Sequence, residues 1–350
     1  MTAPADRPGL VDVHAHFVTE SYVRQARAAG HERPDGVPAW PVWSARAHLE
    51  LMDRSGIDTA VLSVSSPGVS FGDPAAARAL AREVNEDGAR IVRDHPGRFG
   101  LFASLPLPDI DGALTEIAHA FDRLHADGVV LETHTHGVYL GDPRLEPVFA
   151  ELNRRRAVVF VHPTSPVCWE HSALGRPRPM VEFVFDTARA VTDLLLAGTL
   201  ERHPDLRVVV PHCGGALPVL ADRINGFMRL FLPGRAEAPD AVAQLRRLYY
   251  DTAGPAFPRQ MPALLGLADP ARLLYGSDYC WTPAEAAEAH AASFDTAPAP
   301  VPGTSWRSLT TTGRERLCAA AADRSRLHGT AAGALPPGHR PRHPHQLPHL

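Results

Sequence analysis

Eight short apolar runs, many of them rich in branched side chains, punctuate the chain: Leu10–His14, Thr59–Ser65, Phe99–Leu105, Gly128–Thr133, Ala157–His162, Arg207–His212, Leu248–Thr252 and Leu273–Asp278. They are nearly continuous rather than alternating, as in strands covered on both faces. Between them, Ala45–Ser55, Pro74–His95, Asp111–Ala126, Pro143–Arg156, Met180–His203 and Ala216–Phe231 carry apolar residues at helical spacing, several opening on Pro or Asp. Alternation of this kind implies right-handed crossovers and a parallel sheet. Eight such units in 350 residues predict a (β/α)₈ TIM barrel. The rival, a doubly wound open sheet, would be expected to carry GxGxxG after its first strand, and none is present.

The Pro-rich insert Thr19–Pro41, which contains Trp40, predicts a loop over the barrel mouth. The barrel is assigned to residues 1–296. Residues 297–333 start Pro-rich, show a helical pattern over Thr310–His328, and are read as an irregular or helical C-terminal segment. Residues 334–350 are a Pro/His/Arg stretch without apolar periodicity, read as a disordered tail.

Composition narrows the function. Hydrophobic residues make up 45% and charged residues 21%, with a net charge of -4, and the arginines are dispersed among acidic residues. No basic face for nucleic acid is expected. No run approaches the ~18 apolar residues of a membrane span, and the N-terminus lacks the basic and apolar regions of a signal peptide. Cys168, Cys213, Cys280 and Cys318 are far apart and form no CxxC pair, which fits a soluble protein of the reducing cytoplasm. The chain contains no lysine, so no carbamylated lysine can bridge two metals.

The chemistry is concentrated at strand ends. Alternation along Val11-Asp12-Val13-His14-Ala15-His16 sends both histidines to one side. Strand five ends at His162, strand six at His212 and strand eight at Asp278. The C-terminal ends of barrel strands form the active-site face, so these residues converge on one cavity. Imidazoles with a carboxylate suit Zn²⁺ bound with an open position, with His14, His16, His162 and Asp278 around the ion. His212 is then free to move protons. A second HxH, His134 and His136, lies beside Gly137 in a loop and is a weaker ligand candidate.

With these residues in place, the segments VDVHAHF, FVHP, PHCGGALP, YYDTA and GSDY resemble, in order and spacing, the amidohydrolase superfamily, in the branch that includes aminocarboxymuconate-semialdehyde decarboxylase. The likeness runs from about Leu10 to Pro283. WSARAHLELMDRSGID, LSVSSPGVSFGD, HPGRFGLFASLPLPD and GVYLGDPRLEPVFAEL are similar to bacterial proteins related to 6-methylsalicylate decarboxylase. The resemblance implies one zinc per chain on His14, His16, His162 and Asp278, a catalytic His212, and a homodimer in which Arg223 reaches the neighbouring subunit's site. Cys213, Tyr279-Cys280-Trp281 and His48 depart from the family pattern at positions expected to touch substrate.

The expected reaction is non-oxidative loss of CO₂ from a hydroxy-aromatic or enol-like carboxylic acid. Asp278 or His212 would supply the proton, with Trp43, Phe71 and Trp169 as candidate pocket walls. The same site could instead hydrolyse a lactone, ester or amide through a metal-bound water. A catalytically inactive barrel with a scaffold or binding role would require loss of a ligand or of His212, and all are present.

Overall fold

In the computed structural model, eight parallel strands follow one another around a single sheet in chain order: β1 (Leu10–His16), β2 (Ile57–Ser63), β3 (Phe99–Ser104), β4 (Gly128–Glu132), β5 (Val158–His162), β6 (Arg207–Val210), β7 (Tyr249–Asp251) and β8 (Leu273–Leu274). The ring closes where Asp12 bridges Tyr275 and the Val13 N–H donates to Tyr275 O at 2.9 Å. The fold is the expected TIM barrel. The structure describes residues 8–231, 240–300 and 303–329. The tail expected over 334–350 lies outside them.

The apolar runs are continuous because the strands are covered on both sides. One face fills the barrel interior with Val13, Val61, Phe102, Val130, Phe160, Val209 and Leu274. The other packs against the surrounding helices. These include α1 (Glu20–Ala28), α2 (Ala45–Ser55), α3 (Pro74–Asp94), α4 (Ile110–Asp122), α5 (Glu146–Arg154), α6 (Glu182–Leu196), α7 (Leu217–Phe231), α8 (Ala284–Thr296) and α9 (Trp306–Gly329). Capping sets α2: Ser44 Oγ accepts from the Ala47 N–H at its start, and Gly56 at φ 67° ends it in the left-handed conformation.

The insert 19–41 is more ordered than a loop. Thr19 Oγ1 caps α1 by accepting from the Tyr22 N–H, and Tyr22 and Ala26 anchor the helix in the core. Only its second half, with the turn Pro34–Gly36, lies over the mouth.

The C-terminal segment, expected to be irregular or helical, carries α9 across the N-terminal ends of the strands. Leu317 joins the barrel's interior cluster. Arg307, 2% exposed, pairs with Asp295 at 2.6 Å and donates to Ser55 O and Gly56 O at 3.2 and 3.3 Å. At Gly313 a Cβ would fall 1.9 Å from Leu273 O, so only glycine admits this approach.

Candidate metal centre

Three imidazoles are held by the same device. His14 Nδ1 lies 2.9 Å from Asp251 Oδ2, His16 Nδ1 3.0 Å from Ser63 Oγ, and His162 Nδ1 2.8 Å from Pro163 O. A carboxylate or carbonyl partner places the proton on Nδ1 and leaves the Nε2 lone pair to face inward; for His16 that carbonyl is Ser63 O at 3.3 Å, while the Ser63 hydroxyl donates to Ala15 O. His14 Nε2 and His16 Nε2 are buried and have no hydrogen-bond partner. Each would cost about 1–3 kcal/mol if nothing bound it. Asp278 Oδ1 stands 3.6 Å from His14 Nε2 and 3.3 Å from His16 Nε2. One donor atom from each of His14, His16, His162 and Asp278 falls within 4.8 Å of the others, so a site for a metal ion is present. The orphaned nitrogens and the mixed imidazole and carboxylate donors fit a borderline divalent ion.

Local backbone aims these groups. A register irregularity in the β1–β2 ladder falls between Asp12 and Ala15, at the HxH itself. Beyond β6 and β8 the chain leaves the ladder earlier than the sequence suggests. His212 and Asp278 then take φ of 54° and 57°, a left-handed conformation that non-glycine residues hold at a cost. The His212 N–H donates to Asp251 Oδ1 at 3.0 Å, and the Asp278 N–H to His14 O at 2.8 Å. His212 Nε2 faces Asp278 Oδ2 at 3.8 Å.

Burial favours neutral groups here and the partners decide the exceptions. Burial, reinforced by its neighbouring imidazoles, pushes His162 well below its ordinary value. Burial likewise lowers His16. For His14 burial is the largest single influence, but Asp251, Asp278 and Asp12 together outweigh it and make the imidazole more basic. Burial pulls the Asp278 carboxyl upward, but the His16, His212 and His14 imidazoles around it hold it well below the usual carboxylate range, so it is anionic.

Asp251 was not singled out from the sequence, although it ends a strand in the same way as the other site residues. It orients His14 through one oxygen and pins the His212 backbone through the other. Asp12, also unassigned, accepts from the His14 and Ser277 N–H groups at 3.1 and 3.0 Å and so ties β1 to the segment after β8.

The site opens into a cavity of about 680 Å³ lined by His162, His212 and Asp278 with Val37, Phe183 and Trp281 among its apolar walls, and by no arginine among the described residues. A larger neighbour of about 880 Å³ contains none of the four candidate ligands, so size does not mark the site. Asp35, buried and hydrogen-bonded to Ser165 Oγ at 2.5 Å, lines both cavities. His134 lines only the larger one, where its Nε2 lies 3.0 Å from Ser165 O, and His136 lies there with it.

The candidate substrate contacts are not brought together. His48 is buried and receives the Trp43 Nε1–H at 3.0 Å, while its ring packs on Phe99 and Tyr279. Neither it nor Trp43 lines the metal cavity. Phe71 packs on His31. Trp169 lines the larger cavity beneath the Arg178 guanidinium. Arg223 lies exposed over the Phe227 ring, 4.4 Å from its centroid.

The family model described as Amidohydrolase matches residues 11–324. The chain is 39% identical over 286 residues to the 6-methylsalicylic acid decarboxylase acuB of Aspergillus aculeatus, covering 79% of this chain and 86% of that protein. It is 36% identical over 284 residues to a 6-methylsalicylic acid decarboxylase of Penicillium expansum, with the same coverage. The barrel superposes with a TM-score of 0.75 on a Polaromonas dihydroxybenzoic acid decarboxylase holding manganese and 2-nitroresorcinol, at 21% identity over 91% of this chain and 99% of that one. The match along most of the chain, together with the His₃Asp site at the mouth of the barrel, makes this protein a metal-dependent decarboxylase of the amidohydrolase family.

Proposed function

We propose that the chain decarboxylates an ortho-hydroxybenzoate of the 6-methylsalicylate type, using one zinc ion held by His14, His16, His162 and Asp278. The observation that carries this reading is the convergence of these four donors, with unpartnered Nε2 atoms, beside His212 in an apolar cavity. When bound there, the ion supplies Lewis-acid charge for the carboxylate and adjacent hydroxyl oxygens of a substrate. Three imidazoles and one carboxylate favour zinc over an all-oxygen binder such as magnesium.

The protein's own residues supply the rest. Val37, Phe183 and Trp281 exclude water around the ring. His212 Nε2 and Asp278 Oδ2, 3.8 Å apart, mark where a proton passes to the ring carbon that bears the carboxylate. Protonation breaks aromaticity. The C–C bond then breaks, its electron pair returns to the ring, and CO₂ leaves. Asp251 keeps His14 and the His212 backbone in place throughout.

Among the described residues no arginine lines the cavity, and the chain contains no lysine. Val219, Arg223, Phe227 and Phe231 form an exposed i, i+4 stripe on α7, beside exposed Met180, Val181 and Phe185. We read this as a homodimer face. The free thiols of Cys168, Cys213 and Cys280 fit a cytoplasmic setting.

The test is elemental analysis of the purified protein, followed by assay of CO₂ and 3-methylphenol from 6-methylsalicylate. The expected result is one zinc per chain with both products formed. Zinc-loaded protein that releases no CO₂ from any ortho-hydroxybenzoate would overturn the substrate assignment.

A further inference from the structure

The cavity beside the metal centre holds an amide that the reaction scheme leaves unused. Gln260 lines it, at the end of the wide turn Ala256–Gln260 that follows β7. Two features tie this turn to the reaction centre. Asp251, the last residue of β7, orients His14, and the turn itself packs against His212–Gly214. Phe257 anchors it from the other side, edge-on to Phe294 of α8 and Trp306 of α9. A turn of this π type carries an extra residue and re-aims the side chains around it, which is why such turns recur at functional sites.

The protein makes no use of the Gln260 amide. Its Oε1 is buried and has no hydrogen-bond partner. Capping the short helix Met261–Leu267 would be the ordinary task of a polar residue at this place, yet the Gln260 side chain makes no bond to the start of that helix. Other polar groups in the wall are already engaged. Ser65 Oγ accepts from the Trp281 Nε1–H at 2.6 Å, Ser66 Oγ lies 2.7 Å from Thr164 Oγ1, and Asp35 accepts from Ser165 Oγ at 2.5 Å. A carboxylate entering the cavity meets no arginine among the described lining residues, and the chain has no lysine. An amide offers one acceptor and two N–H donors, which exchange places when the group turns over. In an apolar pocket a few such groups fix the orientation of the ligand.

We propose that Gln260 is a substrate-binding residue that donates an amide N–H to the carboxylate of the acid. The inference rests on the decarboxylase reading above and adds a contact to it. A hydrogen bond to a charged acceptor is stronger than one to a neutral oxygen. The carboxylate loses its charge as it departs as CO₂, so the bond is strongest in the bound acid and weakens along the reaction. Its removal should therefore raise KM while leaving kcat nearly unchanged.

The experiment compares zinc-loaded wild type with Gln260→Met, which keeps the shape and removes the donors, and with Gln260→Glu, which sets a like charge against the acid. Kinetics with 6-methylsalicylate give KM and kcat. Calorimetry gives Kd for 6-methylsalicylate in a His212→Ala background and for 3-methylphenol, the product without the carboxylate. Gln260→Met should raise KM and the Kd of the acid about tenfold, with kcat within about threefold and zinc content and 3-methylphenol affinity unchanged. Gln260→Glu should weaken the acid further, by about 100-fold. Unchanged affinity for the acid in Gln260→Met would overturn the inference. So would equal weakening of acid and phenol, which would put the contact on the hydroxyl, or wild-type affinity in Gln260→Glu, which would make the residue an acceptor. Should Gln260→Met lose zinc or melt early, the acid-to-phenol ratio in Gln260→Glu decides. A wild type that neither binds nor decarboxylates 6-methylsalicylate removes the substrate reading itself, and this inference with it.

Discussion

The two ends of the barrel carry polar groups at matching places along the strands and deal with burial in opposite ways. At the C-terminal ends, His14, His16, His162 and Asp278 are drawn together until their donor atoms lie within 4.8 Å. At the N-terminal ends, Arg156, Arg207, Arg247 and Arg272 line a cup, where Arg207 and Arg247 donate to carbonyls and Arg272 lies over the Tyr249 ring. The difference follows from what each group can become. An imidazole can be buried neutral with one nitrogen satisfied and the other offered to a metal. A guanidinium stays charged and donates only, so four of them cannot share a point. The convergent donors mark the metal centre, and the guanidiniums stay apart around the rim of the cup.

Changes at the two ends should therefore have different signatures. The largest effect is expected for His14→Ala or Asp278→Ala, which should lose bound metal and reduce CO₂ release to background. His212→Ala should keep the metal and lower kcat by about 10²–10⁴-fold. Elemental analysis beside kinetics separates the two, and full activity in His212→Ala would remove its proton role. Asp251→Asn should weaken metal affinity by about 10–100-fold in a chelator competition, because His14 loses its orienting carboxylate.

At the base, Arg307→Ala should leave kcat within about twofold and lower stability by about 2 kcal/mol, roughly 3 °C in Tm. The value is below that of a fully buried pair because the Asp295 carboxylate remains one-third exposed. A metal or kcat defect in this variant would erase the distinction between the two ends.

The smallest effect on turnover concerns His48. If it is a packing residue, His48→Gln should change kcat/KM by no more than about twofold, whereas a tenfold rise in KM would restore it as a substrate contact. Burial pushes His48 down to about 3, so the unfolded chain binds the proton first. Wild-type stability should fall as pH drops from about 6.5 toward 3, by up to about 1.4 kcal/mol per pH unit from this residue, and His48→Gln should lack that component in acid melts.

Much of this was legible in the sequence, for identifiable reasons. Continuous apolar runs located all eight strands, and α2 and the end of β5 fall where periodicity placed them. The runs before His212 and Asp278 over-extended the strands because composition does not report a left-handed residue. Asp251 closes YYD as His162 closes VVFVH, so the rule that found the ligands applied to it equally. His48 shares its helical face with Leu51, Met52 and Ser55, all buried, a spacing that points to the core rather than to a substrate. Asp35 gave no such signal. It sits in a Pro-rich turn whose place between two cavities depends on Ser165, far along the chain.

The helix α9 also bears on how the chain reaches its fold. Leu317 seals an interior built mostly from the first three-quarters of the sequence, and Arg307 grips carbonyls at residues 55 and 56. During synthesis the early strands must wait for a late-emerging segment before their lower end is covered. Until that helix docks, the interior that Leu317 covers stays open at its lower end.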